Sequence, residues 1–162
     1  MNAAEQCLAL LLKNQKTIAF AESCTGGLLA KMLTDLPGAS AAFECGVVSY
    51  SGRIKHKLLG VSEETLRRFG EVSPQTASEM AEGIVAASGA DIGVSITGIA
   101  GPTGATETKR VGLIYIGVSF LGHTSVDRLE LYDGRFDRAA RREAAAAFAL
   151  KKVSALLSEK SS

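Results

Sequence analysis

The sequence predicts an α/β fold: a single-domain layered sandwich in which a mixed, mostly parallel sheet of about five strands is flanked by helices. Segments with helical hydrophobic periodicity alternate with short apolar runs along most of the chain. Three of these runs end in hydroxyl-bearing residues, and two further runs near residue 122 are joined by a glycine-containing turn. The alternation indicates parallel strands joined by helices, and the last two runs indicate an antiparallel hairpin.

The first half of the chain alternates helix and strand. Residues 2–13 carry apolar side chains at helical spacing, which predicts an amphipathic helix that covers one face of the sheet. A strand over residues 17–21 then leads through a turn of small residues into a helix that begins at Leu28. The turn signal at 36–40 ends that helix, and residues 43–51 predict the second strand.

The middle of the chain is predicted to hold three short helices and the third strand. Gly52–Leu59 reads as a basic turn or short helix, and Ser62 and Ser73 are typical N-caps of two further helices. Pro74 stands at the first helical position after Ser73, as proline prefers. The third strand covers residues 92–97, and a glycine-rich loop over 98–105 follows it.

The C-terminal part predicts a hairpin and one long helix. Strands over 111–121 and 125–131 are expected to be joined by Gly122–Thr124. The last helix is expected over residues 137–157, with a core-facing side made of Ala140, Ala144, Ala147, Phe148, Leu150, Val153 and Leu157.

Length and charge restrict the class of protein. A chain of 162 residues favours one domain over residues 1–162, large enough to bury roughly 70% of its unfolded surface. Lys and Arg number 18 and Asp and Glu 17, so a net charge of +1 gives no electrostatic reason to expect a nucleic-acid or membrane partner. No apolar run approaches the ~18 residues of a membrane span.

The cysteine and histidine content indicates a cytoplasmic protein and argues against a zinc or iron site. Cys7, Cys24 and Cys45 form an odd set without a C-x-x-C pair, which fits a reducing compartment. The first twelve residues lack the basic segment of a cleaved signal peptide. His56 and His123 are far apart in sequence and have no neighbouring cluster of ligands, which argues against a metal site.

The turn over residues 22–27 is the strongest candidate for a functional element. It joins a strand to a helix N-terminus, where free backbone N–H groups favour anions and developing oxyanions. Ser23 can therefore be a nucleophile, with Thr25, Gly26 and Gly27 as an anion grip. The alternative is that Ser23 or Thr25 only caps the following helix.

The carboxyl ends of parallel strands share one edge of a sheet, so Ser23, Tyr50–Ser51 and Thr97 are expected to converge there. A serine nucleophile needs a base, and the chain lacks the G-x-S-x-G motif of α/β-hydrolases. A lysine with a lowered pKa is another solution, and Lys55 and Lys57 are both candidates.

Two further alternatives concern the nucleophile and the base. Cys24 lies beside a helix N-terminus that would favour a thiolate, so it is a second candidate nucleophile, ranked below Ser23. His56 and His123 remain possible bases, although the position of neither in the sequence indicates this role.

The chain resembles the CinA C-terminal domain family over roughly residues 5–155. Four segments, taken together in this order and spacing, carry the resemblance: Ala21–Gly27, Gly46–Ser51 with Lys55, Ser95–Pro102, and Lys109 with Val111–Gly112. Many longer relatives carry an N-terminal molybdopterin-binding-like domain, so this chain is expected to be the stand-alone form.

The resemblance implies an amidohydrolase that converts nicotinamide mononucleotide into nicotinic acid mononucleotide and ammonia without a metal or cofactor. It implies Ser23 as nucleophile, Lys55 as general base and Tyr50 as a supporting residue. Ser40 and Thr97 are implied to line the same pocket.

The resemblance also bears on recognition of the substrate phosphate. Arg138 is the implied ligand-binding arginine, with Arg135 as a nearby alternative. The glycine-rich loop, including Gly98 and Gly101, is expected to contribute backbone N–H groups to the phosphate. Three segments depart from the family pattern and affect loop geometry more than the Ser–Lys chemistry: Gly52, Thr103–Ala105 and Phe136.

Two other function classes remain open from the sequence. One is a non-catalytic nucleotide-binding or interaction module, since the family name comes from competence and DNA-damage operons. The other is an amidase of the same mechanism that acts on a different small amide. A homodimer is the expected assembly, because the outer helices offer apolar positions and the family tends to assemble.

Overall fold

A computed structural model of the chain describes residues 1–160, so residues 161–162 of the predicted domain lie outside the described part. The elements in chain order are α1 (Ala3–Lys13), β1 (Ile18–Glu22), α2 (Leu28–Thr34), a short 3₁₀ helix (Ala39–Ala41), β2 (Phe43–Val48), α3 (Gly52–Leu59), α4 (Glu63–Phe69), α5 (Pro74–Ser88), β3 (Ile92–Gly98), β4 (Leu113–Phe120), β5 (His123–Glu130) and α6 (Arg138–Lys160). Among residues 1–160, no helix combines the length and hydropathy that crossing a membrane would require.

The five strands form one mixed sheet in the order β2-β1-β3-β4-β5. Strands β2, β1 and β3 are parallel neighbours, whereas β4 pairs antiparallel with both β3 and β5. All strands except β4 therefore point in one direction. This confirms the predicted α/β sandwich with a mixed, mostly parallel sheet.

Helices cover both faces of the sheet, and successive residues of β1 point to opposite faces. Ile18 and Phe20 belong to the larger apolar core, which includes residues of α1, α2 and α6. Ala19 and Ala21 point to the other face, where they pack with residues of α3 and α5. On that face α5 lies so close that a Cβ at Gly93 would be 2.3 Å from the Ala81 carbonyl oxygen.

Side-chain caps define several helix starts, as the sequence predicts. The Ser62 and Ser73 hydroxyls accept hydrogen bonds from the amides of Thr65 and Thr76, at 3.0 and 3.1 Å. Ser51 caps α3 in the same way by accepting from the Ile54 amide at 3.3 Å. The predicted basic segment after β2 is therefore a helix, and Ser51 is engaged at its N-terminus.

Two local predictions need correction. The hairpin turn consists of Leu121 and Gly122, because β5 already begins at His123. Both turn residues have positive φ, at 53° and 73°, which matches the twist that a two-residue hairpin turn requires.

The buried side of α6 also differs from the predicted one. Of the expected core positions, Leu150, Val153 and Leu157 are fully buried, but Ala140, Ala144, Ala147 and Phe148 are only partly buried. The buried alanines are instead Ala145, Ala146 and Ala149. A run of four alanines offers no polar contrast, so its pattern cannot define which side faces the core.

Candidate active site

A cavity of about 220 Å³ lies beyond the carboxyl ends of β1 and β3, where ligands bind in sheets of this kind. Its walls come from the turn after β1, the residue pair before the α5 cap, the glycine-rich loop after β3 and the first residue of α6. The lining residues are Ser23, Cys24, Tyr50, Glu71, Val72, Thr97, Gly98, Ile99, Ala100, Gly101, Thr103, Gly104 and Arg138.

Ser23 is the first residue after β1, and the sheet holds its backbone in place. Its amide donates to the Ile96 carbonyl of β3 at 2.9 Å, which continues the pairing of β1 with β3. On the other side, the Ser49 amide donates to the Glu22 carbonyl at 2.8 Å. The serine is thus fixed between two neighbouring strands, with its side chain in the wall of the cavity.

Glu22, rather than Ser23 or Thr25, supplies the side-chain cap of α2. Its carboxylate is 1% exposed and accepts hydrogen bonds from the amides of Leu29 and Ala30 at 2.8 and 3.1 Å. The N-cap residue Gly27 provides no side-chain bond. Because the helix is capped from the strand, the Ser23 hydroxyl is not needed for capping.

The side-chain nitrogen of Lys55 contacts the hydroxyl of Ser23. The side chain projects from α3 and is completely buried. Its Nζ lies 3.0 Å from Ser23 Oγ and 2.5 Å from the Ser49 carbonyl oxygen. When Lys55 is neutral, the Ser23 hydroxyl can donate to Nζ across the first of these contacts. Lys57 is exposed, so burial distinguishes the two candidate bases.

Burial affects the pKa of Lys55 and of Cys24 in opposite directions. Loss of hydration lowers the pKa of Lys55, and this outweighs the negative charge of Glu71, which raises it. Burial raises the pKa of the Cys24 thiol to about 11, despite the nearby cations. Cys24 is therefore a neutral thiol near pH 7, and the expected thiolate at this helix N-terminus is not formed.

Arginine side chains from α6 hold the turn after Ser23. Arg142 donates to the carbonyl oxygens of Cys24 and Thr25 at 3.1 and 2.8 Å. The Gly26 amide is already used, since it donates to the Ser23 carbonyl at 2.9 Å. No residue in the described part of the chain accepts a hydrogen bond from the Thr25 amide. The Cys24 amide likewise donates to no backbone carbonyl among residues 1–160, and Cys24, unlike Thr25, lines the cavity. The Cys24 amide is therefore the candidate oxyanion donor, whereas the Gly26 amide is not.

Arg138 and Tyr50 also line the cavity and contact each other. Arg138 donates to the Gly101 carbonyl at 2.7 Å and to the Tyr50 hydroxyl at 2.8 Å. Tyr50 is 58% exposed, and its hydroxyl oxygen bonds to Arg138 rather than to Ser23 or Lys55. Arg135 instead forms an ion pair with Asp133 at 2.7 Å, away from the cavity.

The structure brings together most of the predicted site residues. Ser23, Tyr50, Thr97, Gly98, Gly101 and Arg138 line the cavity, and Lys55 contacts Ser23 from behind. Thr25, Gly26 and Gly27 belong to the turn but do not line the cavity.

Ser40 lies elsewhere. It is exposed in the 3₁₀ helix that precedes β2, whereas the cavity is at the other end of that strand. The prediction that Ser40 lines the same cavity as Ser23 is therefore wrong for a single chain, because the turn over residues 36–40 connects to the amino end of the strand.

Sequence reasoning missed the residues that support the site. Glu71 and Val72 line the cavity from the connection between α4 and α5. Arg141 is buried and donates to the carbonyls of Ala100 and Leu131 at 3.2 and 3.0 Å, which braces the glycine-rich loop. The only signal in the sequence was a cluster of arginines in the first turns of the last predicted helix.

The described residues contain no group of three His, Cys, Asp or Glu side chains arranged to hold a metal ion. The chemistry available to the chain at this cavity is thus a buried Ser–Lys pair, a free backbone amide and an arginine. A hydroxyl beside a buried lysine is the combination that nucleophilic attack by a serine requires.

The chain belongs to the CinA C-terminal domain family, whose model matches residues 1–157. A CinA-like protein of Kosmotoga olearia is 52% identical over 141 residues, which cover 87% of this chain and 34% of that protein. The chain thus spans about a third of the length of this curated relative.

Solved structures of the family share the fold. The competence/damage inducible protein CihA from Agrobacterium tumefaciens matches with a TM-score of 0.90 and 37% identity, covering 95% of this chain and 93% of that one. A CinA superfamily protein from Klebsiella pneumoniae matches with a TM-score of 0.91 and 31% identity, covering 98% and 99% of the two chains.

Proposed function

We propose that this domain is an amidohydrolase that converts nicotinamide mononucleotide and water into nicotinic acid mononucleotide and ammonia. The family resemblance implies this activity, and the geometry of the cavity supports it. The observation that carries it is the contact of 3.0 Å between Lys55 Nζ and Ser23 Oγ, with Lys55 completely buried. A lysine without access to water and with a lowered pKa is suited to accept a proton from serine.

In the acylation step, neutral Lys55 accepts the hydroxyl proton of Ser23 as Oγ attacks the amide carbon. The carbonyl oxygen becomes an oxyanion, and the amide of Cys24, which follows Ser23 and lines the cavity, is the candidate donor. Protonated Lys55 then gives its proton to the amide nitrogen, the C–N bond breaks, and ammonia leaves. The nicotinoyl group remains attached to Ser23 as an ester.

In the deacylation step, Lys55 accepts a proton from water as the water oxygen attacks the ester carbon. The Lys55 proton returns to Ser23 Oγ when the C–O bond breaks, so the enzyme is regenerated and the acid is released. The same residue thus acts as general base and general acid in each half of the reaction.

The part of the cavity that Arg138 lines suits the nucleotide part of the substrate. Arg138 uses two of its guanidinium N–H groups on Gly101 and Tyr50, and its remaining donors can bind phosphate. The glycine-rich loop beside it exposes backbone at Thr103 and Gly104. We also propose a cytoplasmic location for the reaction, because the cysteines are all free thiols.

The proposal is tested by measuring ammonia release from nicotinamide mononucleotide, with free nicotinamide, asparagine and glutamine as competing amides. We expect stoichiometric ammonia and nicotinic acid mononucleotide from the mononucleotide, and slower release from the other amides. Lys55→Met should reduce kcat by at least about 10³-fold, as for removal of a general base from a catalytic unit. Lys57→Met is the matched control, since its side chain is exposed.

Other outcomes would assign a different function. Binding of the mononucleotide without turnover would indicate a nucleotide-binding module, and preferential hydrolysis of another amide would identify a related amidase. Equal effects of Lys55→Met and Lys57→Met would contradict the assignment of the base.

A further inference from the structure

Glu71 is the one acidic residue among those that line the cavity. It lies in the connection between α4 and α5, two residues before the Ser73 cap. None of the ion pairs formed within residues 1–159 includes Glu71. Glu71 therefore brings a carboxylate to the cavity wall without an ion-pair partner among residues 1–159.

Hydrogen bonds fix both ends of this residue. Glu71 Oε1 accepts from the Gly52 amide, at the start of α3, at 2.6 Å. Its backbone carbonyl accepts from the Thr97 hydroxyl at 2.7 Å. The carboxylate is thus held against the N-terminus of the helix that carries Lys55, on the same side of the cavity as the Ser–Lys pair.

Gly52 provides the space that this arrangement needs. A Cβ at position 52 would lie 2.8 Å from Glu71 Oε1 and 3.4 Å from its Cγ. Any larger residue there would move the carboxylate away from the Gly52 amide. The position of the charge in the cavity therefore depends on the absence of a side chain at residue 52.

The charges of the cavity are arranged in two places. The Glu71 carboxylate bonds to the Gly52 amide at the start of α3, whereas the Arg138 guanidinium on α6 bonds to Gly101 in the glycine-rich loop and to Tyr50 in the β2–α3 connection. A ligand with a cationic ring at the reacting amide and an anionic group farther away would match both charges.

We propose that Glu71 selects amides carried on an N-substituted pyridinium ring, by pairing its carboxylate with the positive charge of the ring. The inference rests on the proposed function and specifies its substrate class. A neutral pyridine amide presents the same carboxamide to Ser23 but gains nothing from Glu71. Glu71 thus discriminates between the cationic nucleotide and free nicotinamide by charge rather than by shape.

The test compares the binding of 1-methylnicotinamide, which has a cationic ring, with that of neutral nicotinamide. Dissociation constants are measured by ligand-detected NMR titration of the whole chain. Glu71→Gln should weaken binding of 1-methylnicotinamide by up to about fivefold, the range for an exposed charge pair, and leave binding of nicotinamide unchanged. Glu82→Gln is the control, because Glu82 is exposed on α5 outside the cavity.

A second variant keeps the charge and moves it. Gly52→Ala should also weaken the binding of 1-methylnicotinamide and leave that of nicotinamide unchanged, since the new Cβ displaces the carboxylate from its amide donor. Equal weakening of the binding of both ligands, or no change in the binding of either, would overturn the proposal. A wild-type protein that does not bind 1-methylnicotinamide would overturn it as well. Because no turnover is measured, a protein that fails to deamidate the mononucleotide can still confirm or overturn the role of Glu71.

Discussion

Lys55 is the residue whose chemistry depends most on its surroundings. An exposed lysine is protonated at neutral pH and cannot accept a proton, whereas Lys55 is fully buried and has its pKa lowered by loss of hydration. Its nitrogen still has two polar partners, Ser23 Oγ and the Ser49 carbonyl. The site thus stabilises a neutral amine without leaving it unsatisfied.

The lowered pKa of Lys55 predicts the pH dependence of the reaction. Only the neutral amine acts as base, so kcat/KM should rise with pH through the pKa of Lys55 and reach a plateau below its ordinary value of 10.5. The charge of Glu71 raises this pKa, so Glu71→Gln should move the rising limb to lower pH. The measurement is kcat/KM for the mononucleotide across pH, in wild type and Glu71→Gln.

The control for this profile is Glu82→Gln, whose rising limb should coincide with that of the wild type. A limb that moves to higher pH in Glu71→Gln would contradict the assignment of Lys55 as the titrating base, because removal of a negative charge cannot raise a lysine pKa.

The sequence contained information that distinguishes Lys55 from Lys57 as the buried lysine. Lys55 and Leu59 are four residues apart and share the buried side of α3, whereas Lys57 is on the exposed side. The helical spacing was present in the sequence. The short segment carried too many cations for its buried side to be recognised without the packed structure.

At the scale of elements, the connection between β1 and α2 is stabilised by Glu22. Its buried carboxylate accepts from two amides in the first turn of α2, where the helix dipole also favours a negative charge. The cap comes from a strand residue seven positions before the first amide it accepts from. Local capping rules could not predict it, because they consider the residues immediately next to the helix.

Glu22→Gln is predicted to destabilise the protein by about 2 kcal/mol, since one carboxylate oxygen is replaced by an NH₂ group that cannot accept from an amide. The free energy of unfolding is measured by urea denaturation. Glu44→Gln is the matched control, because Glu44 is exposed on β2 and should change stability by less than about 0.5 kcal/mol. Equal effects of the two substitutions would contradict the capping role of Glu22.

At the scale of the whole molecule, the site combines distant parts of one domain. The larger apolar core contains residues from Ala4 to Leu157, so the first and last helices pack in the same layer as α2. We infer one folding unit from this continuity. The predicted homodimer stays a prediction, as does the absence of nucleic-acid and membrane partners.

The architecture was predictable because helical and strand periodicities alternate clearly and strand ends carry polar residues. The supporting contacts were not, because Arg141 and Arg142 reach loops about 40 and 118 residues away in sequence. Glu71 was missed for the same reason, since only the packed fold brings the α4–α5 connection to the cavity.

The proposed reaction requires Ser23 as the nucleophile. Ammonia release from nicotinamide mononucleotide by Ser23→Ala tests it most directly, with Ser78→Ala as the control on the surface of α5, outside the cavity. Ser23→Ala should fold as the wild type by circular dichroism and lose at least about 10³-fold in kcat, while Ser78→Ala retains the wild-type rate. A folded Ser23→Ala variant that still deamidates the mononucleotide at the wild-type rate would contradict the account.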